Sequence, residues 1–240
     1  MKRSIKHKIY NRTSEIRFDL LVMIVISVFC LSLSSCQENK RKENIEKVIK
    51  EWAGKEIKFS EKLFCTYMGN DTTCVDLTAK IYKILIYVDS IGCTSCRLNL
   101  NQWSKFILES DTAFIKKPEF LFFFQPKNKG EKDIILTLRE YRFRHTVFID
   151  KENETYKLNK FPANSNFQCF LLDKDNKVLL VGDPTSNPNI WILFKRIIKE
   201  REVSEFTTKK GGKFTSLLGK STYFATILTK KESRQKNTLN

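Results

Sequence analysis

Seven cysteines carry the most reactive side chains of this 240-residue chain, and two of them lie three positions apart. Cys93 and Cys96 form the pattern C-x-x-C, which suits a redox-active dithiol, a stable disulfide or half of a metal site. In a dithiol, one cysteine attacks a disulfide as a thiolate and the other resolves the mixed disulfide. Because spacing alone does not separate these uses, the flanking elements must decide among them.

Candidate metal ligands are scarce around this pair. Zinc usually takes four protein ligands, yet the chain has only two histidines, His7 and His145, and no second C-x-x-C. A copper site would need a partnered histidine, whereas His145 opens an apolar strand. We therefore expect no metal and favour a redox couple, with a stable disulfide that does not turn over as the alternative.

The elements on either side of the motif match a redox site. Residues 81–90 form an apolar run that is typical of a central strand. From Ser95 onward, Leu100, Trp103 and Phe106 recur with helical period. This predicts Cys93 at a strand-to-helix turn as the nucleophile and Cys96 in the first helical turn as the resolving thiol. Free N–H groups and the helix dipole would stabilise a thiolate there.

The remaining pattern predicts the fold class. A helix over 45–52 and a hairpin over 57–77 come first, and the strand 81–90 and its helix follow. Then come a strand at 118–124, a helix at 130–143, a strand at 145–150, a hairpin at 167–183 and a helix at 188–198. Strands that alternate with helices predict an α/β protein, with a central mixed sheet between two helical layers.

A strand that runs into C-x-x-C, followed by a βα unit, a hairpin and a last helix, resembles the thioredoxin-like fold. "FLLDKDNKVLLVG" is similar to the hairpin of TlpA-type or redoxin-like proteins, and the resemblance covers about residues 78–202. It implies thiol–disulfide exchange by Cys93 and Cys96. Gly92 stands where the family usually has Trp, and the hairpin lacks the family's cis-proline, whose place falls near Phe167. Cys169, beside that place, is either a buried small apolar residue or a third thiol near the dithiol.

The N-terminus has the pattern of an export signal. Basic residues precede an apolar run at 20–33, which is shorter than the roughly 20 residues of a membrane span. The run ends in "LSSC", which resembles a bacterial lipobox and predicts lipidation of Cys36. We expect a signal peptide at 1–35 and a polar tether at 36–44. Together with "SIGCTSC", this resembles thioredoxin-like lipoproteins of Bacteroidetes-type bacteria. Gln37 after Cys36 does not resemble the inner-membrane retention signal known for some bacteria, which favours an outer-membrane anchor facing the periplasm.

Another cysteine pair flanks a predicted turn in the first hairpin. If Gly69-Asn70 forms a two-residue loop, Cys65 faces Cys74 at a non-hydrogen-bonded position, where a structural disulfide can form. A longer loop, or a turn at Asn70-Asp71, separates the two thiols. A disulfide and two free cysteines therefore both remain open.

Net charge is +16, but the segments 1–35 and 205–240 carry +4 and +6 of it. The dispersed +6 of the body favours contact with anionic lipid over nucleic acid, which we do not expect as a partner.

The predicted domain boundaries are a folded domain at 45–204 and a basic flexible tail at 205–240. We expect envelope protein thiols or disulfides and a redox donor as partners, and no cofactor besides the Cys93/Cys96 disulfide. The alternative is a non-catalytic lipoprotein that uses the same fold as a binding scaffold.

Overall fold

The computed structural model describes Met23 and residues 40–77, 80–89, 99–126 and 130–209. Chain contacts divide the molecule into two units, Met1–Lys47 and Val48–Asn240, and the sheet and its helices belong to the second. Cys36 and the predicted signal peptide, apart from Met23, lie outside the described residues. Within the described ranges, no helix combines the length and apolar character needed to cross a bilayer.

The elements follow the predicted order. Residues 40–52 form α1. After it come β1 (Phe64–Tyr67), β2 (Asn70–Asp71), β3 (Lys83–Val88), α2 (Leu100–Ala113), β4 (Glu119–Phe124), α3 (Glu131–Glu140), β5 (Thr146–Ile149), α4 (Glu154–Asn159), a 3₁₀ turn (Ser165–Phe167), β6 (Cys169–Leu172), β7 (Val178–Val181) and α5 (Pro188–Lys209).

All seven of these strands join one sheet in the order β2-β1-β5-β4-β3-β6-β7. The central strands β3, β4 and β5 are parallel, and β1, β6 and β7 run antiparallel to their neighbours. A mixed sheet flanked by helices confirms the predicted α/β class. Because the parallel strands end at the same edge, the chain segments after β3, β4 and β5 meet there.

Helices cover both faces of the sheet, which explains the continuous apolar sequences of β3 and β4. Residues of α2, α3 and α5, among them Trp103, Leu138 and Phe194, pack with Ile84 and Ile86 of β3 on one face. On the other face, Trp52 and Phe161 are buried with Leu85, Phe123 and Phe170. Because successive side chains along each strand point to opposite faces of the sheet, they form two separate apolar layers.

The turn of the first hairpin differs from the prediction. Thr66 pairs with Asp71 and Tyr67 with Asn70, so the loop is Met68-Gly69 rather than Gly69-Asn70. Both loop residues have positive φ, as a type I′ turn requires. Gly69 also lies where a Cβ atom would overlap the Ile135 side chain. The predicted register is therefore wrong, and the packing of α3 against the turn explains the shift.

Helix boundaries differ from the sequence expectations near the motif and at the end of the domain. The helix that carries Leu100, Trp103 and Phe106 begins at Leu100, because Asn99 before it has a φ of 38° in the left-handed region. The helical turn predicted at Ser95 and Cys96 lies outside the described residues. The final helix continues to Lys209, beyond the predicted end at 198. No sequence pattern predicts the short helix α4, since six residues are too few to show a helical period.

Candidate active site

The two motif cysteines, Cys93 and Cys96, lie within residues 90–98, outside the described residues. The residues before and after this segment are described, and both contribute to one cleft of about 600 Å³. Asp89 follows β3, and Asn99 precedes α2. The cleft therefore opens at the edge where the parallel strands end. Its walls are Ile86, Tyr87, Val88, Asp89, Asn99, Leu100, Asn101, Trp103, Tyr141, Ser165, Asn166, Gln168, Cys169, Asp183, Thr185 and Ser186.

A buried hydrogen bond closes the floor of this cleft. The Gln168 side-chain amide donates to Asp89 Oδ2 at 2.9 Å and to the Pro162 carbonyl at 2.8 Å. Its backbone carbonyl accepts from the N–H of Tyr87 at 2.9 Å. Gln168 therefore connects β3, the loop at Pro162 and the start of β6. Only 4% of Gln168 and 6% of Asp89 is exposed, so both polar groups need these partners.

No local sequence pattern indicates this pair, because the two residues lie 79 positions apart. Asp89 has the sequence position of a turn residue after a strand, and Gln168 lies one residue beyond the predicted cis-proline position, Phe167. No cis peptide bond occurs among the described residues. Gln168, between the implied proline position and the start of β6, therefore supplies a buried side-chain amide next to that position.

Cys169 is the free cysteine of the described part of the chain. It begins β6, faces Ile86 of β3 and is 2% exposed. Burial raises the pKa of its thiol well above the ordinary value, and the negative charge of Asp183 acts in the same direction. A protonated thiol is a poor nucleophile. The environment therefore favours Cys169 as a small apolar core residue over a reactive third thiol.

Asp183 shapes another wall of the cleft. Its Oδ1 accepts from the Thr185 N–H and hydroxyl at 2.8 Å each, and its Oδ2 accepts from the Ser186 hydroxyl at 3.0 Å. This local turn fixes the two hydroxyl residues that line the cleft. Asp89 and Asp183 are the two carboxyl residues among the described wall residues, which include no Lys, Arg or His, so this part of the lining is acidic in composition.

Tyr87 separates the cleft from a second buried carboxylate. Its hydroxyl lies 3.2 Å from Asn153 Oδ1 and 3.3 Å from Gln125 Oε1. Burial, followed by the charges of Asp150 and Asp89, raises the pKa of this hydroxyl. Tyr87 therefore stays neutral and donates its proton to one of the two amide oxygens.

Asp150 follows β5 and caps α4. Its carboxylate accepts from the backbone N–H groups of Glu154, Thr155 and Tyr156 at 2.8, 3.0 and 3.4 Å. These groups would otherwise lack partners in the first helical turn. Burial raises the pKa of Asp150 despite these hydrogen bonds. Its role is structural, since its oxygens are committed to the helix start.

Cys65 and Cys74 are joined by a disulfide with a Cα–Cα distance of 5.3 Å. The structure brings this pair together although the predicted register is wrong. Strand β2 ends at Asp71, and the chain then turns back toward β1 with Cys74 Sγ at 3.7 Å from the Leu63 carbonyl. Neither cysteine lines the cleft, so the disulfide stabilises the outer hairpin.

The described residues contain no group of three potential metal ligands. His145 packs against the rings of Phe120 and Phe122, and its Nε2 lies 2.7 Å from the Phe120 carbonyl oxygen. An imidazole that donates to a backbone carbonyl holds its strand in place. The geometry assigns His145 to packing.

Comparison with known proteins gives likeness only at the level of structure. No protein-family model matches the sequence, and a search of curated proteins found no match. A thioredoxin-like protein in its oxidised form shares 14% identity over 64% of this chain and 98% of its own, with a TM-score of 0.45. The thioredoxin domain of a thiol-disulfide oxidoreductase from Bacteroides vulgatus shares 15% over 61% and 97%, with a TM-score of 0.42. StoA from Bacillus subtilis shares 15% over 55% and 95%, with a TM-score of 0.39. The chain is thus similar to thioredoxin-like structures in its fold.

Proposed function

We propose that the protein is a thiol–disulfide oxidoreductase, of reductase or isomerase type, that works through Cys93 and Cys96. In the sequence, the C-x-x-C motif lies between Asp89 and Asn99, which both line the cleft, and this carries the proposal. Cys93 follows Asp89 by four positions, and Asn99 follows Cys96 by three positions. An extended chain advances at most about 3.6 Å per residue. The motif is therefore within reach of the cleft from both sides.

In the proposed reaction, the Cys93 thiolate attacks one sulfur of a partner disulfide and displaces the other as a thiolate. The Cys96 thiolate then attacks Cys93 Sγ, which breaks the mixed disulfide and releases the second partner thiolate. The partner disulfide gains two electrons, and the Cys93/Cys96 dithiol becomes a disulfide. A dithiol donor of the envelope returns the two electrons, so the cysteine pair is the only redox group required.

The acidic lining supports a reductase or isomerase over a strong oxidant. Oxidants of this chemistry stabilise their reduced, thiolate form. A nearby carboxylate limits how far the helix start lowers the pKa of the thiol, because like charges disfavour its ionisation. Asp89 and Asp183 both contribute negative charge to the described walls. The cleft is therefore suited to a dithiol that gives up its electrons readily.

We further propose that the domain works in an oxidising envelope and is tethered by lipid on Cys36, with the outer membrane as its site and the periplasm as its compartment. The Cys65–Cys74 disulfide supports the oxidising compartment, since such bonds persist there. The lipobox-like sequence before Cys36 supports the tether. The partners would be exported proteins with cysteine pairs and one electron donor.

The test of the reaction is a trapping experiment with the full chain carrying Cys96→Ser. We expect mixed disulfides through Cys93 with envelope proteins, released by reductant. The matched control is the Cys93→Ser variant, which lacks the nucleophile and should trap none. The pH dependence of Cys93 alkylation should also give a pKa below the ~8.5 of an ordinary cysteine. Trapping in neither variant, with an ordinary pKa, would contradict the proposal.

A second candidate is a non-catalytic binding module. Phe167 stands at the place where the resemblance implies a cis-proline, and the side-chain amide of Gln168 lies next to it. This favours the binding module, because the partner-docking surface then differs from that of the family. A module of this kind would bind partners equally well with both motif cysteines replaced by serine. Loss of binding in that double variant would exclude it.

The tether is tested separately. Cys36→Ser should move the protein from the membrane fraction to the soluble fraction without changing disulfide exchange. A matched change at a cysteine of the predicted signal peptide, Cys30→Ser, should leave the membrane fraction unchanged. Retention of Cys36→Ser in the membrane fraction would overturn the anchor.

A further inference from the structure

Two neighbouring helices, α2 and α5, share an outward surface that is aliphatic and basic. The contacts between them fix their arrangement. Trp191 Nε1 donates to Glu109 Oε2 at 2.7 Å, and Lys195 Nζ donates to Glu109 Oε1 at 2.5 Å. Further along, the Lys116 N–H donates to Glu202 Oε1 at 2.6 Å. The helices therefore run side by side in the same direction. We call the exposed side the α2–α5 face, which consists of Lys105, Leu108, Ile115, Lys116, Lys117, Ile192, Arg196, Lys199 and Val203.

Large aliphatic side chains are concentrated on this face. Leu108 is 71% exposed, Ile115 90%, Ile192 57% and Val203 59%. In the described part of residues 48–204, only two other aliphatic side chains of this size are exposed, Leu136 and Leu158. Isolated exposed aliphatic residues need no explanation, but four on two adjacent helices indicate a surface that meets another apolar phase.

Charge on the same face is predominantly basic. Residues 105–117 and 192–203 contain seven Lys or Arg and four Asp or Glu. Three of these acids form ion pairs with basic residues of the same two segments, because Glu109 pairs with Lys195, Asp111 with Lys117 and Glu200 with Arg196. The surplus is therefore positive, and Lys105 and Lys199 are exposed beside the aliphatic side chains.

We propose that the α2–α5 face rests on an anionic lipid surface. Aliphatic side chains would enter the boundary between headgroups and acyl chains, while lysine and arginine side chains would meet the lipid phosphates. The face complements an anionic bilayer in both charge and polarity. This docking goes beyond the proposed thiol chemistry and does not depend on it, because none of these residues lines the cleft.

The position of the cleft agrees with such docking. Its walls include Asn99, Asn101 and Trp103 at the start of α2. Ile115 follows the other end of that helix, 14 residues later, which corresponds to about 21 Å of helix axis. The cleft and Ile115 therefore lie toward opposite ends of α2. Contact of Ile115 with lipid would leave the cleft residues at the other end of the helix outside that contact.

The test uses tryptophan fluorescence in the full chain reconstituted into vesicles. The added fluorescence of the Ile115→Trp variant should be quenched by phosphatidylglycerol with brominated acyl chains, after subtraction of the parent chain, whose Trp52, Trp103 and Trp191 are buried. Leu158→Trp is the matched control, because Leu158 is exposed on α4, away from the face. We expect strong quenching at position 115 and little at position 158. Circular dichroism verifies that both variants fold.

Charge reversal separates lipid docking from general proximity to the membrane. Lys105→Glu with Lys199→Glu should lower the quenching of the Ile115→Trp variant about ten-fold, since each basic residue contributes to attraction by anionic lipid. The control is the same charge change elsewhere, Lys132→Glu with Lys157→Glu, which should leave the quenching unchanged. High salt should also lower it.

Three outcomes would overturn the proposal. Equal quenching at positions 115 and 158 would mean that membrane proximity alone explains the signal. Equal quenching in zwitterionic vesicles would remove the role of charge. A concentration-dependent change in the fluorescence of the Ile115→Trp variant without lipid would assign the face to a second copy of the chain. Because no outcome involves Cys93 or Cys96, failure here leaves the oxidoreductase proposal intact.

Discussion

Asp89 and Asp150 are the same kind of residue at the same edge of the sheet, yet they are held differently. Each follows a parallel strand, β3 or β5, and each is at most 6% exposed. Asp150 accepts from three backbone N–H groups of α4, whereas Asp89 accepts from the side-chain amide of Gln168 and lines the cleft. Burial alone therefore does not distinguish the carboxylate that lines the cleft from the one that caps a helix. What distinguishes Asp89 is a side-chain partner and an open space beside it.

The largest expected effect is at Asp150. Asp150→Ala should lower the free energy of unfolding by about 3 kcal/mol, because it leaves buried N–H groups at the start of α4 without an acceptor. Urea denaturation of the intact protein measures this loss. Asp89→Ala, the matched change at the cleft, should cost less. Equal losses would mean that the two carboxylates have the same structural role.

Replacement of the partner of Asp89 comes next. Gln168→Met removes the amide that serves both Asp89 and the Pro162 carbonyl, at a cost of about 2 kcal/mol in the free energy of unfolding. Gln168→Glu places a second carboxylate beside Asp89, so its loss should be larger at neutral pH and smaller in mild acid. A Met variant as stable as the parent would show that the amide does not hold the end of β3.

The pH dependence of stability sharpens the contrast further. Burial raises the pKa of Asp150 above the roughly 3.9 of an exposed aspartate. The part of the stability that depends on protonation of Asp150 is then complete below about pH 4 and is lost as the pH rises through the raised pKa. Asp150→Asn should remove this decline, so the stability of the parent relative to the variant should fall above about pH 4. Chemical denaturation of both proteins from acid to neutral pH tests this prediction. A constant difference in the free energy of unfolding across this range would contradict a raised pKa of Asp150.

The smallest effect on stability is expected for Asp89→Asn. The amide keeps an acceptor oxygen for Gln168, so the free energy of unfolding should change by less than about 1 kcal/mol. Loss of the negative charge should nevertheless lower the pKa of the Cys93 thiol. Alkylation at several pH values measures that shift, and Asp150→Asn is the control with a smaller shift. A larger shift of the Cys93 pKa in Asp150→Asn than in Asp89→Asn would contradict the expectation that Asp89 is the carboxylate that acts on this thiol.

Sequence patterns predict the order of strands and helices because each long element carries its own period. They fail where a single backbone angle sets the position of a turn or a helix start, or where a contact joins residues that are far apart in the sequence. Met68 and Asn99 adopt positive φ, which no local pattern of apolar residues reveals, and so the turn register and the start of α2 differ from the prediction. The pairing of Asp89 with Gln168 joins residues 79 positions apart, and only the folded sheet brings them together.

The two cysteine pairs also show which features spacing in the sequence predicts and which features depend on the fold. Cys65 and Cys74 lie nine residues apart across a turn, so their proximity follows from chain reversal even when the register is wrong. The C-x-x-C pattern of Cys93 and Cys96 is visible from spacing. The cleft beside this motif is not visible from spacing, because its wall residues Gln168, Asp183 and Thr185 lie far along the chain.

The short outer strands limit how this sheet can meet other polypeptides. On one side the sheet ends in β2, which has two residues, beside the Cys65–Cys74 disulfide. On the other side, the Gly54 N–H donates to the Val178 carbonyl, and the Val178 N–H donates to the Lys55 carbonyl. In the part of the chain that the structure describes, neither border offers a long row of open backbone groups for strand addition. Both borders therefore limit edge-to-edge aggregation of the domain.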